Sequence, residues 1–111
     1  MKRTLLLFSF LIVCSLCCSI HAVIPDVQFR RIEVSDGLSN SQINCIFKDS
    51  RGFMWFGTAS GLNRYDGFRF VNFYTNSDDK QSIPSNNVNT INEDFEGKIW
   101  INTSSGYVIY N

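Results

Sequence analysis

Gln42-Ile43-Asn44-Cys45-Ile46-Phe47-Lys48-Asp49-Ser50-Arg51-Gly52-Phe53-Met54-Trp55-Phe56-Gly57-Thr58-Ala59-Ser60-Gly61-Leu62 is written a second time, 45 residues on, as Asn87-Val88-Asn89-Thr90-Ile91-Asn92-Glu93-Asp94-Phe95-Glu96-Gly97-Lys98-Ile99-Trp100-Ile101-Asn102-Thr103-Ser104-Ser105-Gly106-Tyr107. At that offset Asn44/Asn89, Ile46/Ile91, Asp49/Asp94, Gly52/Gly97, Trp55/Trp100, Thr58/Thr103, Ser60/Ser105, Gly61/Gly106 and Tyr65/Tyr110 are identical. A repeat of this length, built from short strand-like runs, is the signature of a β-propeller blade. The expected fold is therefore all-β, with blades of four antiparallel strands.

The strands can be placed from side-chain pattern and turn chemistry. Ile43 to Phe47 reads as an inner strand. Asp49-Ser50-Arg51-Gly52 reads as a hairpin turn, in which Asp bonds to local backbone and Gly takes a positive φ. Phe53 to Thr58 is an aromatic, β-prone second strand. Ala59-Ser60-Gly61 turns the chain into a third strand, Leu62 to Tyr65. Asp66-Gly67 is a two-residue hairpin signal leading to a fourth, Phe68 to Tyr74. The second copy supplies Val88 to Ile91, Ile99 to Thr103 and Tyr107 to Tyr110, and Asn111 falls where Asp66 stands in the first copy. One blade is complete and one incomplete, against the roughly four to eight blades of a closed propeller.

Upstream, Phe29-Arg30-Arg31-Ile32-Glu33-Val34 alternates apolar and polar side chains, as a half-buried strand does. It is expected to be an extra strand that closes a ring. The organisation expected is 1–22 leader, 29–74 first strand plus blade 1, 75–87 polar connector and 88–111 incomplete blade 2. Two repeats leave strand edges unpaired, so residues 23–111 in isolation are expected to fold poorly or to aggregate.

The leader opens with the basic Met1-Lys2-Arg3-Thr4, continues through apolar Leu5 to Val13 and ends in small and apolar residues with a cleavage point after Ala22. This is the layout of a secretory signal peptide. Its apolar run is shorter than the roughly 20 residues of a membrane-spanning helix. Three of the four cysteines, Cys14, Cys17 and Cys18, lie in it. Beyond it Cys45 stands alone, placed to be a small buried side chain rather than half of a disulfide. The whole chain has ten basic and ten acidic residues; beyond Ala22 the balance is eight to ten, a net charge of −2. With no basic patch, nucleic-acid binding is not expected.

Few residues invite a catalytic reading. Trp55 and Trp100 have faces suited to stacking on sugars, yet a tryptophan repeated in each blade fits packing between blades better. Phe53, Phe56, Tyr65, Phe70 and Phe73 are read in the same way. Asp49 and Asp94 are each followed three residues later by Gly, which suits a turn better than a metal or an acid/base pair. Asp78-Asp79 has no calcium-type ligand spacing. Asn102-Thr103-Ser104 matches a glycosylation acceptor at a strand end, and Arg64 and Arg69 read as solvated surface cations. The residues singled out are thus the repeat's structural motif: Asp49, Gly52, Trp55, Thr58, Gly61 and Tyr65, with Asp94, Gly97, Trp100, Thr103, Gly106 and Tyr110. No catalytic, metal or cofactor-binding residue is assigned, and no cofactor is expected.

The stretches Gly37-Leu38-Ser39, Phe47 to Thr58, Gly61-Leu62-Asn63-Arg64-Tyr65-Asp66-Gly67 and Asp94-Phe95-Glu96-Gly97-Lys98-Ile99-Trp100 resemble two-component regulator propeller repeats, which stand at the N-terminus of hybrid two-component sensors of Bacteroides-type bacteria. The resemblance covers residues 29–111. The second copy departs from it at Asn102, in the Gly57 position, and at Val108-Ile109, in the Asn63-Arg64 positions. The resemblance implies seven-bladed propellers in an exported, periplasmic sensor that becomes part of an inner-membrane receptor. It implies an oligosaccharide ligand, possible homodimerisation, and as partners the remaining blades and a membrane-linked histidine kinase, a receiver and a DNA-binding module. Kinase activity would lie in those other domains: this sequence has no ATP-binding glycine motif, and its one histidine, His21, is in the leader. Two alternatives stand beside this reading. One is a fragment of a secreted propeller enzyme of the polysaccharide-lyase kind; the other is a truncated product without independent function.

Overall fold

The computed structural model describes residues 2–16 and 22–111. The expected leader falls partly outside these, at residues 1 and 17–21. Two units are present, residues 1–30 and 31–111. In the first, α1 runs Lys2–Leu16, 15 residues with apolar side chains such as Leu5, Phe8 and Phe10 exposed. No helix among the described residues is long and apolar enough to cross a membrane.

The second unit is two antiparallel sheets. The first has β1 (Ile43–Lys48), β2 (Met54–Thr58), β3 (Gly61–Tyr65) and β4 (Phe70–Phe73), in the order β1-β2-β3-β4. The second has β5 (Val88–Glu93), β6 (Ile99–Thr103) and β7 (Gly106–Tyr110), in the order β5-β6-β7. These are one four-stranded and one three-stranded blade of the same meander. The 45-residue offset of the sequence holds in the pairing: Phe47↔Trp55 and Trp55↔Arg64 in blade 1 become Asn92↔Trp100 and Trp100↔Ile109 in blade 2. Even the irregularity recurs. The register slips between Ile43 and Cys45, and again between Val88 and Thr90. In each case the extra residue is the repeated asparagine, Asn44 or Asn89, and a bulge turns its side chain away from the regular pleat.

Residues paired across strands share a face, so the register sorts each blade into two sides. Blade 1 turns Cys45, Phe47, Trp55, Leu62 and Phe73 towards blade 2. Blade 2 answers with Ile91, Ile99, Ile101, Val108 and Tyr110. Trp55, Leu62, Val88, Ile91, Ile99 and Ile101, with Ile83 from the connector, form the buried core between the sheets. Each fully buried aliphatic side chain here contributes about 1.5–3 kcal/mol. The two-blade junction is therefore the main source of cohesion, since neither sheet alone has a second apolar layer to pack against.

One expected strand is missing. Residues 29–33 have no strand structure, and Val34–Asp36 form a short 3-10 turn. Glu33 N–H donates to the Asp36 carboxylate, and Gly37 closes the turn with φ at 115°. Alternation alone does not make a strand: the ladder needs a neighbour with free backbone groups, and no described strand lies alongside these residues. Phe29 is accordingly 94% exposed. Leu38, just downstream, is buried at the position in blade 1 that Ile83 holds in blade 2.

Candidate functional site

The junction between the blades gathers the repeat residues, and its smallest unit is an aspartate that clasps a tryptophan six residues later. One Asp49 carboxylate oxygen accepts the N–H groups of Arg51 (3.0 Å) and Phe53 (2.9 Å). The other accepts the indole N–H of Trp55 at 2.8 Å. Gly52 has φ at 92°, a left-handed conformation that glycine adopts without penalty, and this lets the turn wrap around the carboxylate. The copy is faithful. Asp94 accepts the N–H groups of Glu96 (2.9 Å) and Lys98 (3.0 Å) on one oxygen and the Trp100 indole at 2.8 Å on the other. The Trp100 indole above all, with the Lys98 and Glu96 amides and the Lys98 charge behind it, holds the Asp94 carboxyl below its usual range against a smaller opposing effect of desolvation.

The two clasps differ in their surroundings. Asp49 and Trp55 are buried, Trp55 completely, beneath Phe73 (6.0 Å between rings) and Tyr110 (5.4 Å). Trp100 lies on the far side of blade 2, 39% exposed and stacked on Tyr107 at 5.6 Å. Thr58 and Thr103 pin the next hairpin: each hydroxyl donates to the carbonyl of Gly61 (2.9 Å) or Gly106 (2.7 Å) and accepts the N–H of Ser60 or Ser105. Tyr65 and Tyr110, though equivalent, do different work. Tyr65 donates its hydroxyl to the Gly67 carbonyl and stacks on Phe70 at 4.6 Å. Tyr110 receives a hydrogen bond at 3.0 Å from Arg64 of the other blade.

Three polar links cross the junction, and of their residues only Tyr110 belongs to the motif singled out from sequence. Arg64 reaches Tyr110 while its guanidinium lies 4.7 Å from the Phe53 ring centroid. Glu93 accepts both the N–H and the hydroxyl of Ser50. Asn44 donates from its bulge to the Asn87 side chain (3.0 Å) and the Val88 carbonyl (2.9 Å). The recurrence of Asn44 as Asn89 was the available signal. Arg64 and Glu93 gave none, because each exists in one copy only. Asn63, fully buried and also outside that motif, serves its own blade: it accepts from Ser39 N–H and Asn72 and donates to the Phe56 carbonyl.

At the end of the blades where β1 and β5 begin, the exposed groups are amides and hydroxyls. Asn40 donates to Ser60 at 2.8 Å, Asn44 to Asn87, and Asn87 to Ser104 at 2.7 Å. This row crosses from one blade to the other without a charged residue among its members. Elsewhere Cys45 is half-buried beside Gly57, and burial pushes its thiol up from its usual range. Among the described residues no group of three His, Cys, Asp or Glu side chains is placed to hold a metal ion.

A family model described as two component regulator propeller matches residues 37–60 and 82–105. The protein named Histidine kinase P4 of Formosa agariphila is 36% identical over 80 residues, which are 72% of this chain and 6% of that protein. The crystal structure of the extracellular domain of a hybrid two component system from B. thetaiotaomicron matches with a TM-score of 0.61 and 32% identity, over 74% of this chain and 13% of that one. This chain therefore spans a small part of the length of either. Repeat, register and likeness agree: residues 37–60 and 82–105 are two-component regulator propeller repeats, each the core of one β-propeller blade.

Proposed function

We propose that this chain is part of the exported, ligand-sensing propeller of a hybrid two-component receptor, that it performs recognition rather than catalysis, and that its ligand is a neutral oligosaccharide. The observation that carries the ligand class is the uncharged row Asn40, Ser60, Asn44, Asn87 and Ser104. Amides and hydroxyls offer both donors and acceptors, which is what a polyhydroxylated ligand without charge requires. The likeness to an extracellular domain of a hybrid two-component system supports the receptor reading, and the basic, then apolar, leader supports export to the periplasm. In this reading ligand occupancy biases the packing of neighbouring blades, and a population shift between two receptor states carries the signal across the membrane to a kinase. The remaining blades and that kinase are the proposed partners.

The test is a titration of the chain with neutral and anionic oligosaccharides, read by the side-chain amide resonances of Asn40, Asn44 and Asn87. Shifts with neutral sugars that vanish in Asn87→Ala support the reading. Silence across a broad panel, or shifts with charged sugars alone, overturns the ligand class. Mass analysis of the exported protein tests the leader: a mature start at Val23 is expected.

A further inference from the structure

The amide row that crosses the two blades is wired in one direction, and main-chain groups set that direction. The Val88 carbonyl can only accept, so the Asn44 nitrogen is the atom that faces it, at 2.9 Å. The same nitrogen gives its other hydrogen to the Asn87 side-chain oxygen at 3.0 Å. The Asn87 nitrogen is then left to face Ser104 Oγ, at 2.7 Å. In blade 1 the Gln42 N–H can only donate, so the Asn40 oxygen faces it at 2.8 Å. The Asn40 nitrogen therefore faces Ser60 Oγ, also at 2.8 Å. Each chain of bonds is anchored on a main-chain group and ends on a serine hydroxyl.

This wiring leaves an unbalanced remainder. Among the described residues, the second amide hydrogens of Asn40 and Asn87 and the hydroxyl hydrogens of Ser60 and Ser104 have no acceptor. Against these donors stands one amide oxygen without a donor, that of Asn44. Asn44, Asn87 and Ser104 are exposed, so their spare groups face solvent. A ligand that takes the place of that solvent gains affinity only where it reproduces the hydrogen bonds it displaces. Beside Asn87 and Ser104 it must therefore bring acceptors, and beside the Asn44 oxygen a single donor.

We infer that the sugar held by this row carries an acetamido group, which the row reads across the blade junction. The inference rests on the oligosaccharide reading of the same site and names the substituent that the site selects. An acetamido oxygen has two lone pairs and no hydrogen, so it accepts both the Asn87 N–H and the Ser104 O–H. Its N–H meets the idle Asn44 oxygen. Asn44 lies in β1, whereas Asn87 precedes β5 and Ser104 lies between β6 and β7, so one substituent touches both blades. A sugar hydroxyl also accepts, but it brings a hydrogen of its own to a place where donors already outnumber acceptors. A carboxylate accepts too, yet it meets the Asn44 oxygen and finds no cation in the row to offset its lost hydration.

The experiment titrates the full chain with cellotriose and with triacetylchitotriose, read by the side-chain amide resonances of Asn44 and Asn87. The two sugars share one β-linked backbone and differ in having a hydroxyl or an acetamido group at the second carbon of each ring. Triacetylchitotriose is expected to bind about tenfold more tightly, the worth of one or two net hydrogen bonds. Asn87→Asp keeps the bond from Asn44 and gives the Ser104 hydroxyl an acceptor, so both donors are lost and the preference is expected to vanish. Ser104→Ala removes one donor alone and is expected to reduce the preference without abolishing it. Equal affinities, or a preference for cellotriose, overturn the inference and leave sugar sensing standing. So does a preference that survives Asn87→Asp, or silence with triacetylchitotriose while another sugar binds. Silence with every sugar overturns the sensing reading and this inference together.

Discussion

The indole N–H of Trp55 donates to the carboxylate of Asp49 at 2.8 Å, six residues back across a turn that the same carboxylate caps. One aspartate thereby fixes both the hairpin and the rotamer of the largest side chain in the core. Replacing it should release the turn and orphan a buried donor. Asp49→Ala is expected to destabilise the blades by about 1–3 kcal/mol, the cost of leaving a buried polar group unpaired. Urea denaturation measures it. Asp94→Ala should cost less, because the Trp100 indole is open to water that can replace the lost acceptor; equal losses would show that turn capping alone is at work.

Stability should also fall on the acid side. Amide and indole donors depress the folded-state carboxyls of Asp94 and Asp66: the Trp100 indole leads for Asp94, the Arg69 and Phe68 amides for Asp66. A depressed carboxyl contributes stability in full above its unfolded value, near 3.8, and loses it as pH falls through the folded one. The urea midpoint should therefore drop below about pH 4, and Asp94→Asn with Asp66→Asn should flatten that drop. An unchanged slope in the double variant would place the acid sensitivity elsewhere.

Gly57 lies where its own blade and blade 2 leave no room for a side chain. A Cβ there would stand 2.5 Å from the Cys45 sulfur and 2.7 Å from Val88 Cγ1. Gly57→Ala is expected to cost about 1–3 kcal/mol through overpacking, and Val88→Ala in the same chain should recover part of it. Thermal melts of the two single variants and the double variant decide this. A Gly57→Ala chain as stable as the parent would mean that the junction yields more readily than its packing implies.

Arg64 sits among Phe53, Trp55, Phe73 and Tyr110 and hydrogen-bonds to the last. Arg64→Ala should lose about 1–2 kcal/mol, from the ring contacts and the hydrogen bond together. Tyr110→Phe should lose less, since it keeps its ring. A double-mutant cycle on the pair should show coupling; additive losses would mean that Arg64 serves its own blade only.

The blades were legible in the sequence because their instructions are local. Asp49, Gly52 and Trp55 interact within six positions of one another, and Thr58 with Gly61 within three, so spacing alone exposes them. What holds blade to blade was less legible. Arg64–Tyr110, Ser50–Glu93 and Asn44–Asn87 join residues 43 to 46 positions apart, and nothing in either partner announces the other. The strand expected at Phe29 to Val34 shows the converse limit. Its alternation describes how it could lie in a sheet, but a strand exists only where another strand offers its free edge.

The different burial of the two tryptophans gives the molecule a pair of built-in optical reporters. Trp55, sealed in the core, should emit towards the blue and resist iodide quenching. Trp100, at 39% exposure, should emit further to the red and quench readily. With no dye attached, one spectrum separates the closed junction from the open face, and anything that comes to cover Trp100 announces itself by a change of colour.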